Sequence, residues 1–259
     1  MSSPKEQQQP TDEEILQHEQ RIKDEEAQKV PLVSLPEPIA KLEKEFEGNE
    51  PFIKKIKNLG QKHKEIRRCR GDGNCFFRAF AFAWFEKSLK DSTKYALYLE
   101  TLKGTPELLE KSGFQKLAFE DFYDVTLEQF VAISPSDPDM LLVNFQSDEI
   151  SNCIVMHLRF VASAYLRMHS PEYEPFIIDE MISIDEFCVS QVEAFGRESD
   201  HLQIIALSKA LEIPVKVVYL DGGAGEEAAV HEFWPDESNQ VEEDALKLIY
   251  RPGHYDILY

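Results

Sequence analysis

Gly71-Asp72-Gly73-Asn74-Cys75-Phe76-Phe77-Arg78-Ala79-Phe80-Ala81-Phe82-Ala83-Trp84-Phe85 is the stretch from which the rest of the 259-residue chain is best read. From Phe76 onward the run is apolar around nearly its whole circumference, and a helix without a polar face belongs at the centre of a fold. The turn before it places Cys75 in the first helical turn, where its sulfur meets uncompensated backbone amides and the positive end of the helix dipole. Both favour the thiolate, which is the nucleophilic form of cysteine. The two glycines also expose amides just ahead of the sulfur, suited to holding the oxyanion formed when a carbonyl is attacked. A cysteine before an apolar helix is more often packing than chemistry, so locally both readings stand.

On either side the chain alternates recognisable elements. Upstream, Phe52, Ile53, Ile56 and Leu59 follow helical spacing and stop at Gly60, and residues 64–70 read as extended. Downstream, residues 92–192 read as mostly helical. Thr105-Pro106-Glu107 looks like a helix start, Ile150, Ile154, Leu158, Val161, Ala162 and Tyr165 share one face, and Ser183 with Glu186 makes a capping box. A helix over 199–211, capped by Ser199, leads into the β-branched strand 215–219 and a glycine-rich turn at 221–225. Strands at 231–234, 247–251 and 254–259 follow, the last two joined through Pro252-Gly253. The class is α+β, a helical region packed on a small, mainly antiparallel C-terminal sheet.

The N-terminal end is different in kind. Residues 1–10 are polar, and Thr11 with Glu14 opens a charged helix over about 11–29. Ile15, Leu16, Ile22, Ala27 and Val30 give it only a narrow apolar stripe, so it is expected to order against a partner surface. Three prolines in residues 31–38 read as a linker. The expected division is a flexible arm over 1–36 and a compact domain over 37–259.

Acidic residues outnumber basic ones 48 to 28, a formal charge of −20. That sign disfavours nucleic acid and anionic lipid as partners. The longest unbroken apolar run, residues 79–85, is far short of the roughly 20 residues a membrane-spanning helix needs. The polar N-terminus lacks the apolar stretch of a secretory signal, so cytosol or nucleus is the expected compartment. Cys69, Cys75, Cys153 and Cys188 show no Cys-x-x-Cys spacing. They are read as free thiols without zinc, with all but Cys75 structural.

The far end of the chain bears on the two readings of Cys75. His254-Tyr255-Asp256 lies in a strand, and alternation puts His254 and Asp256 on the same face. A base needs a partner on one ring nitrogen so that the other points at the nucleophile, and a carboxylate two residues along supplies it. A cysteine at a helix start together with a late His-x-Asp strand suggests nucleophilic acyl chemistry.

Asp72-Gly73-Asn74-Cys75-Phe76-Phe77-Arg78-Ala79 resembles the cysteine box of the ovarian-tumour (OTU) family of deubiquitinases, and Gly253-His254-Tyr255-Asp256 resembles its histidine box. Arg197-Glu198-Ser199-Asp200-His201 and the C-terminal residues 250–259 resemble the otubain branch, so the resemblance covers nearly the whole chain. It implies a papain-like thiol isopeptidase fold and activity, without metal or organic cofactor. The implied substrates are ubiquitin chains, with a preference for those linked through lysine forty-eight of ubiquitin. Cys75 is then the nucleophile, His254 the base and Asp256 its orienter. Asp72, through its backbone, forms the oxyanion loop with Gly73, Asn74 and the Cys75 amide.

The resemblance further implies a monomer that binds ubiquitin-conjugating enzymes and blocks ubiquitin transfer without needing the cysteine. The arm, through Ile15, Leu16 and Ile22, would meet the proximal ubiquitin. Glu198 and His201 would lie near the distal ubiquitin, and Glu198 is expected to compete with Asp256 for His254 before substrate arrives. An adaptor with incidental peptidase activity is the alternative.

Overall fold

The structure, a computed structural model, describes residues 29–133, 136–177, 181–223, 225–238 and 240–259. The arm residues Ile15, Leu16 and Ile22 and the helix expected over 11–29 lie outside these, apart from Lys29.

Helix α3 (Cys75–Lys90) is the axis of the molecule, following α1 (Leu42–Glu45) and α2 (Glu50–Lys62). Every residue of α3 from Cys75 to Phe85 is buried, as the absence of a polar face requires. Around it pack α4 (Ser92–Lys111), α5 (Lys116–Ala132), α6 (Pro138–Phe145) and α7 (Asp148–Met168). Rings interlock at this centre: Phe130 meets Trp84 at 5.0 Å and Phe85 at 4.9 Å, and Phe145 meets Phe82 at 5.3 Å. Two short helices, α8 (Ser170–Ile177) and α9 (Ile184–Phe187), lead to a π turn at Cys188–Glu193 and then to α10 (His201–Leu211).

The sheet has six strands in the order β1-β2-β6-β5-β3-β4. They are β1 (Val33–Pro38), β2 (Glu65–Cys69), β3 (Val215–Tyr219), β4 (Ala229–Phe233), β5 (Leu246–Arg251) and β6 (His254–Leu258). Alternation divides its faces. Val217, Leu248, Tyr255 and Ile257 turn toward the helices, while Ile66, Val218, Ile249 and Leu258 turn the other way, onto Ile39, Leu42, Phe52 and Ile56. The sheet is therefore sandwiched, with α2 and the segment before it on the face opposite α3.

The structure departs from the sequence reading at several points. Residues 33–38 are strand β1, paired antiparallel to β2, not linker. Leu32 and Val33 are buried, so the compact domain begins before residue 37. Prolines are admitted because β1 is an edge strand. The sheet is not confined to the C-terminal third, and β3 runs parallel to β5. Pro106 does not start a helix but sits inside α4, where the Thr105 hydroxyl donates at 2.8 Å to the Leu102 carbonyl, the acceptor a proline cannot serve. Helix α2 continues past Gly60 to Lys62. Asp200, not Ser199, caps α10, forming a capping box with Gln203. The capping box at Ser183 and Glu186 is present as expected.

Candidate active site

The two-residue hairpin at Pro252-Gly253 sets Arg251 opposite His254, with Gly253 at φ 73°, a left-handed turn position open to glycine. That register places His254 and Asp256 on one face of β6, and His254 Nε2 lies 2.8 Å from Asp256 Oδ1. Asp256 is fully buried, and Oδ1 also accepts from the Cys69 amide at 2.9 Å. Burial works to raise its carboxyl, but His254, Arg251 and that amide together hold it below the usual range.

With Nε2 committed to Asp256, Nδ1 is the ring nitrogen left for the thiol, and Cys75 is close enough to His254 to help raise its pKa. The Tyr255 amide donates to the same sulfur at 3.4 Å. Burial acts to lower His254, but the hydrogen bonds to Asp256 and Cys75 and their charges outweigh it and push it up to about 9. The ring is thus an imidazolium at neutral pH, ready to give a proton to a leaving amine. Burial pushes the Cys69 thiol well above its ordinary range and Cys188 up to about 11. Neither is a nucleophile at neutral pH.

The loop ahead of Cys75 is braced by buried arginines. Asp72 Oδ1 accepts from Arg78 Nη1 at 2.9 Å and from the Asn74 amide at 3.0 Å. Desolvation works to raise Asp72, but those contacts hold it below the usual range, so its carboxylate braces the loop. The Asn74 amide is committed to this turn, which leaves the amides of Asp72, Gly73 and Cys75 as the loop's candidates for holding an oxyanion.

The Asn74 side chain accepts from the Gly196 amide at 3.0 Å and from Arg159 Nη2 at 2.8 Å. Arg159, fully buried on α7, also donates to the carbonyls of Gly73 (2.9 Å), Val192 (2.8 Å) and Arg197 (2.7 Å), and lies over the Phe77 ring. Burial pulls it down to about 10, still charged at neutral pH. A Cβ on Gly73 would fall 1.8 Å from the Gly196 carbonyl, so only glycine lets these two loops meet. The sequence reading missed Arg78 and Arg159. The available signal was an arginine set inside an apolar stretch of each helix, Arg78 between Phe77 and Ala79 and Arg159 between Leu158 and Phe160, since a charge buried there requires partners.

Glu198 and His201 line a cleft of about 390 Å³ that opens on Cys75 beside Tyr219, Tyr250 and Tyr255. They also line a neighbouring cleft of about 590 Å³ with Phe176 and Leu202. Because His254 Nε2 already lies 2.8 Å from Asp256 Oδ1, the expectation that Glu198 draws the ring away from Asp256 falls. The Glu198 carboxylate instead lies against the outside of the hairpin at Gly253.

No helix among the described residues is long and apolar enough to cross a membrane, and no cluster of three or more His, Cys, Asp or Glu among them could hold a metal ion. The family profile Peptidase C65 Otubain matches residues 25–259. A deubiquitinating enzyme of Arabidopsis thaliana containing an ovarian tumor domain is 39% identical over 256 residues, covering 92% of this chain and 84% of its own. Ubiquitin thioesterase OTUB1 of Homo sapiens is 38% identical over 251 residues, covering 96% and 90%. An h/ceOTUB1 chain solved with ubiquitin aldehyde and UBC13~Ub superposes with a TM-score of 0.86 at 32% identity, covering 96% of this chain and 98% of that one. With a profile matched from the arm to the last residue and relatives this alike over nearly full length, the chain belongs to the otubain family of cysteine peptidases.

Proposed function

We propose that this protein is a deubiquitinating isopeptidase that cuts the bond between the C-terminal glycine of ubiquitin and a lysine, preferring chains linked through lysine forty-eight. The observation that carries this reading is the convergence of Cys75, His254 and Asp256 from opposite ends of the chain, in a fold shared with a relative held by ubiquitin aldehyde. The Cys75 thiolate attacks the glycine carbonyl, and the loop amides take up the developing oxyanion. His254 Nδ1 protonates the departing lysine amine, then removes a proton from the water that hydrolyses the thioester. Asp256 holds Nε2 throughout, fixing tautomer and plane. The clefts flanked by Glu198 and His201 receive the distal ubiquitin and its tail, and the N-terminal arm meets the proximal one. The protein works in the cytosol or nucleus, as a monomer.

A second, non-catalytic role is favoured by relatives solved with UBC13~Ub and UBCH5B~Ub: binding ubiquitin-loaded conjugating enzymes and blocking transfer. Incubation with linkage-defined diubiquitins tests both roles. Wild type should cleave the lysine-forty-eight dimer fastest. Cys75→Ala should lose all cleavage yet still bind loaded conjugating enzyme, and deletion of residues 1–30 should weaken chain cleavage and transfer inhibition but not reaction with a single-ubiquitin probe. Cleavage surviving in Cys75→Ala refutes the mechanism, and equal loss of all three activities on deletion refutes the role given to the arm.

A further inference from the structure

Asp256 is gripped on both oxygens, and only one grip belongs to the base. Oδ1 faces His254 and the Cys69 amide, whereas Oδ2 accepts from Arg251 Nη2 at 2.7 Å, with Arg68 Nη1 at 3.8 Å. From there a chain of charges leads outward. Arg251 Nη1 donates to Glu45 Oε2 at 2.9 Å, the Glu45 carboxylate also pairs with Arg68, and Arg68 Nε donates to Glu37 Oε1 at 2.7 Å.

Register explains the assembly. Arg251 lies opposite His254 across the β5–β6 hairpin, and Ile66 opposite Leu258 brings Arg68 abreast of Asp256. The two arginine side chains are only 16% and 15% exposed, so these are not loosely solvated surface pairs. A carboxylate held at one oxygen alone is free to turn about its Cγ bond. Held at both, it presents Oδ1 to the imidazole in a fixed plane.

We propose that Arg251, braced by Glu45, is a positioning residue for the cysteine-peptidase reaction: it pins the outer oxygen of Asp256 and so aims His254 at Cys75. Glu45 and Glu37 lie in the segment that follows the N-terminal arm, on α1 and β1. The seating of that segment therefore bears on the aim of the base through Glu45. The proposal rests on the catalytic reading of Cys75, His254 and Asp256.

The test follows two readouts in the full-length protein: hydrolysis of a fluorogenic amide at the ubiquitin C-terminus, and alkylation of Cys75 by iodoacetamide at neutral pH. Arg251→Gln should lower kcat about tenfold or more with KM unchanged and slow alkylation, as expected when a base is mis-aimed. Arg251→Lys should recover part of the loss, because an ammonium restores charge without the two-pronged grip. Glu45→Gln, at a side chain 41% exposed and so tolerant of change, should lower kcat about threefold, and by less when added to Arg251→Gln.

Arg251→Gln within twofold of wild type in kcat, a loss carried by KM, or a Glu45→Gln effect undiminished in the double variant overturns the proposal. If wild type leaves the ubiquitin amide intact while the alkylation differences persist, the assigned substrate fails and the positioning role stands.

Discussion

The two halves of the catalytic centre are held in opposite ways. The base and its carboxylate are set by a two-residue hairpin and strand alternation, interactions spanning a handful of residues. The nucleophile's loop is set by guanidiniums arriving from a distance, Arg159 of α7 bridging residues 73–74 to 192–197, and Arg78 tying Asp72 to Ser151 and Asn152. The pairing of base with carboxylate is local and legible, although Asp256 is also held by the distant Cys69 amide, whereas the nucleophile side depends throughout on a completed core. Damage to the first should therefore slow chemistry, and damage to the second should also cost stability.

Arg159→Met should have the largest effect. It leaves the carbonyls of Gly73, Val192 and Arg197 and the Asn74 oxygen without their donor, at a cost of about 3–5 kcal/mol. Chemical denaturation should show the loss together with falling activity. A denaturation midpoint unchanged beside lost activity would contradict the scaffolding role.

Asp256→Asn should slow turnover by about 10³-fold, since an amide favours the wrong ring tautomer. Its pH signature has a definite sign. His254 is raised from 6.5 to about 9 in the folded protein, so it contributes stability fully present below 6.5 and lost as pH rises through about 9. Wild-type cleavage should decline through about 9 as the imidazolium gives up its proton. In the variant this limb should move toward 6.5, and the stability gap between the two proteins should be wider near pH 6 than above pH 9. A limb unmoved in the rate profile would show that Asp256 does not govern the ring.

Gly73→Ala sharpens the contrast from the other side. With φ at 75° and the Gly196 carbonyl in the way, the loop must shift, and loss of aligned oxyanion donors should lower kcat about 10²-fold with thiol alkylation retained. Parallel loss of both would place the damage at the cysteine instead. The smallest effect is expected at Glu198→Gln, where turnover of a small C-terminal amide should stay within about twofold, since Asp256 already holds His254. A large rise in turnover would restore Glu198 as an inhibitor of the ring.

Much of the architecture was legible where a short-range rule was strong. The faceless helix after Cys75, the Pro252-Gly253 hairpin, the β-branched strand 215–219 and the Ser183 capping box all follow from neighbours within a few residues. Readings failed where tertiary pairing overrode composition. Prolines that signal linker are accepted in edge strand β1, and Pro106 is accepted inside α4 because Thr105 serves the orphaned carbonyl. The parallel pairing of β3 with β5 leaves no periodic trace at all.

By itself the sequence determined which groups could react: one thiol at a helix start, and an imidazole and a carboxylate sharing a strand face. Backbone periodicity and turn chemistry act over a few residues and need nothing else. Only the tertiary structure decided that they meet, that Arg159 and Arg78 hold the oxyanion loop, and that Asp256 is clamped from Arg251 and Glu45. The contacts that carry these arrangements across the fold, Arg78 to Asn152, Arg159 to Asn74, Tyr255 to Cys75 and Arg251 to Glu45, join residues 74 to 206 positions apart in the chain, and bringing them together depends on closing the whole core, which no local pattern records.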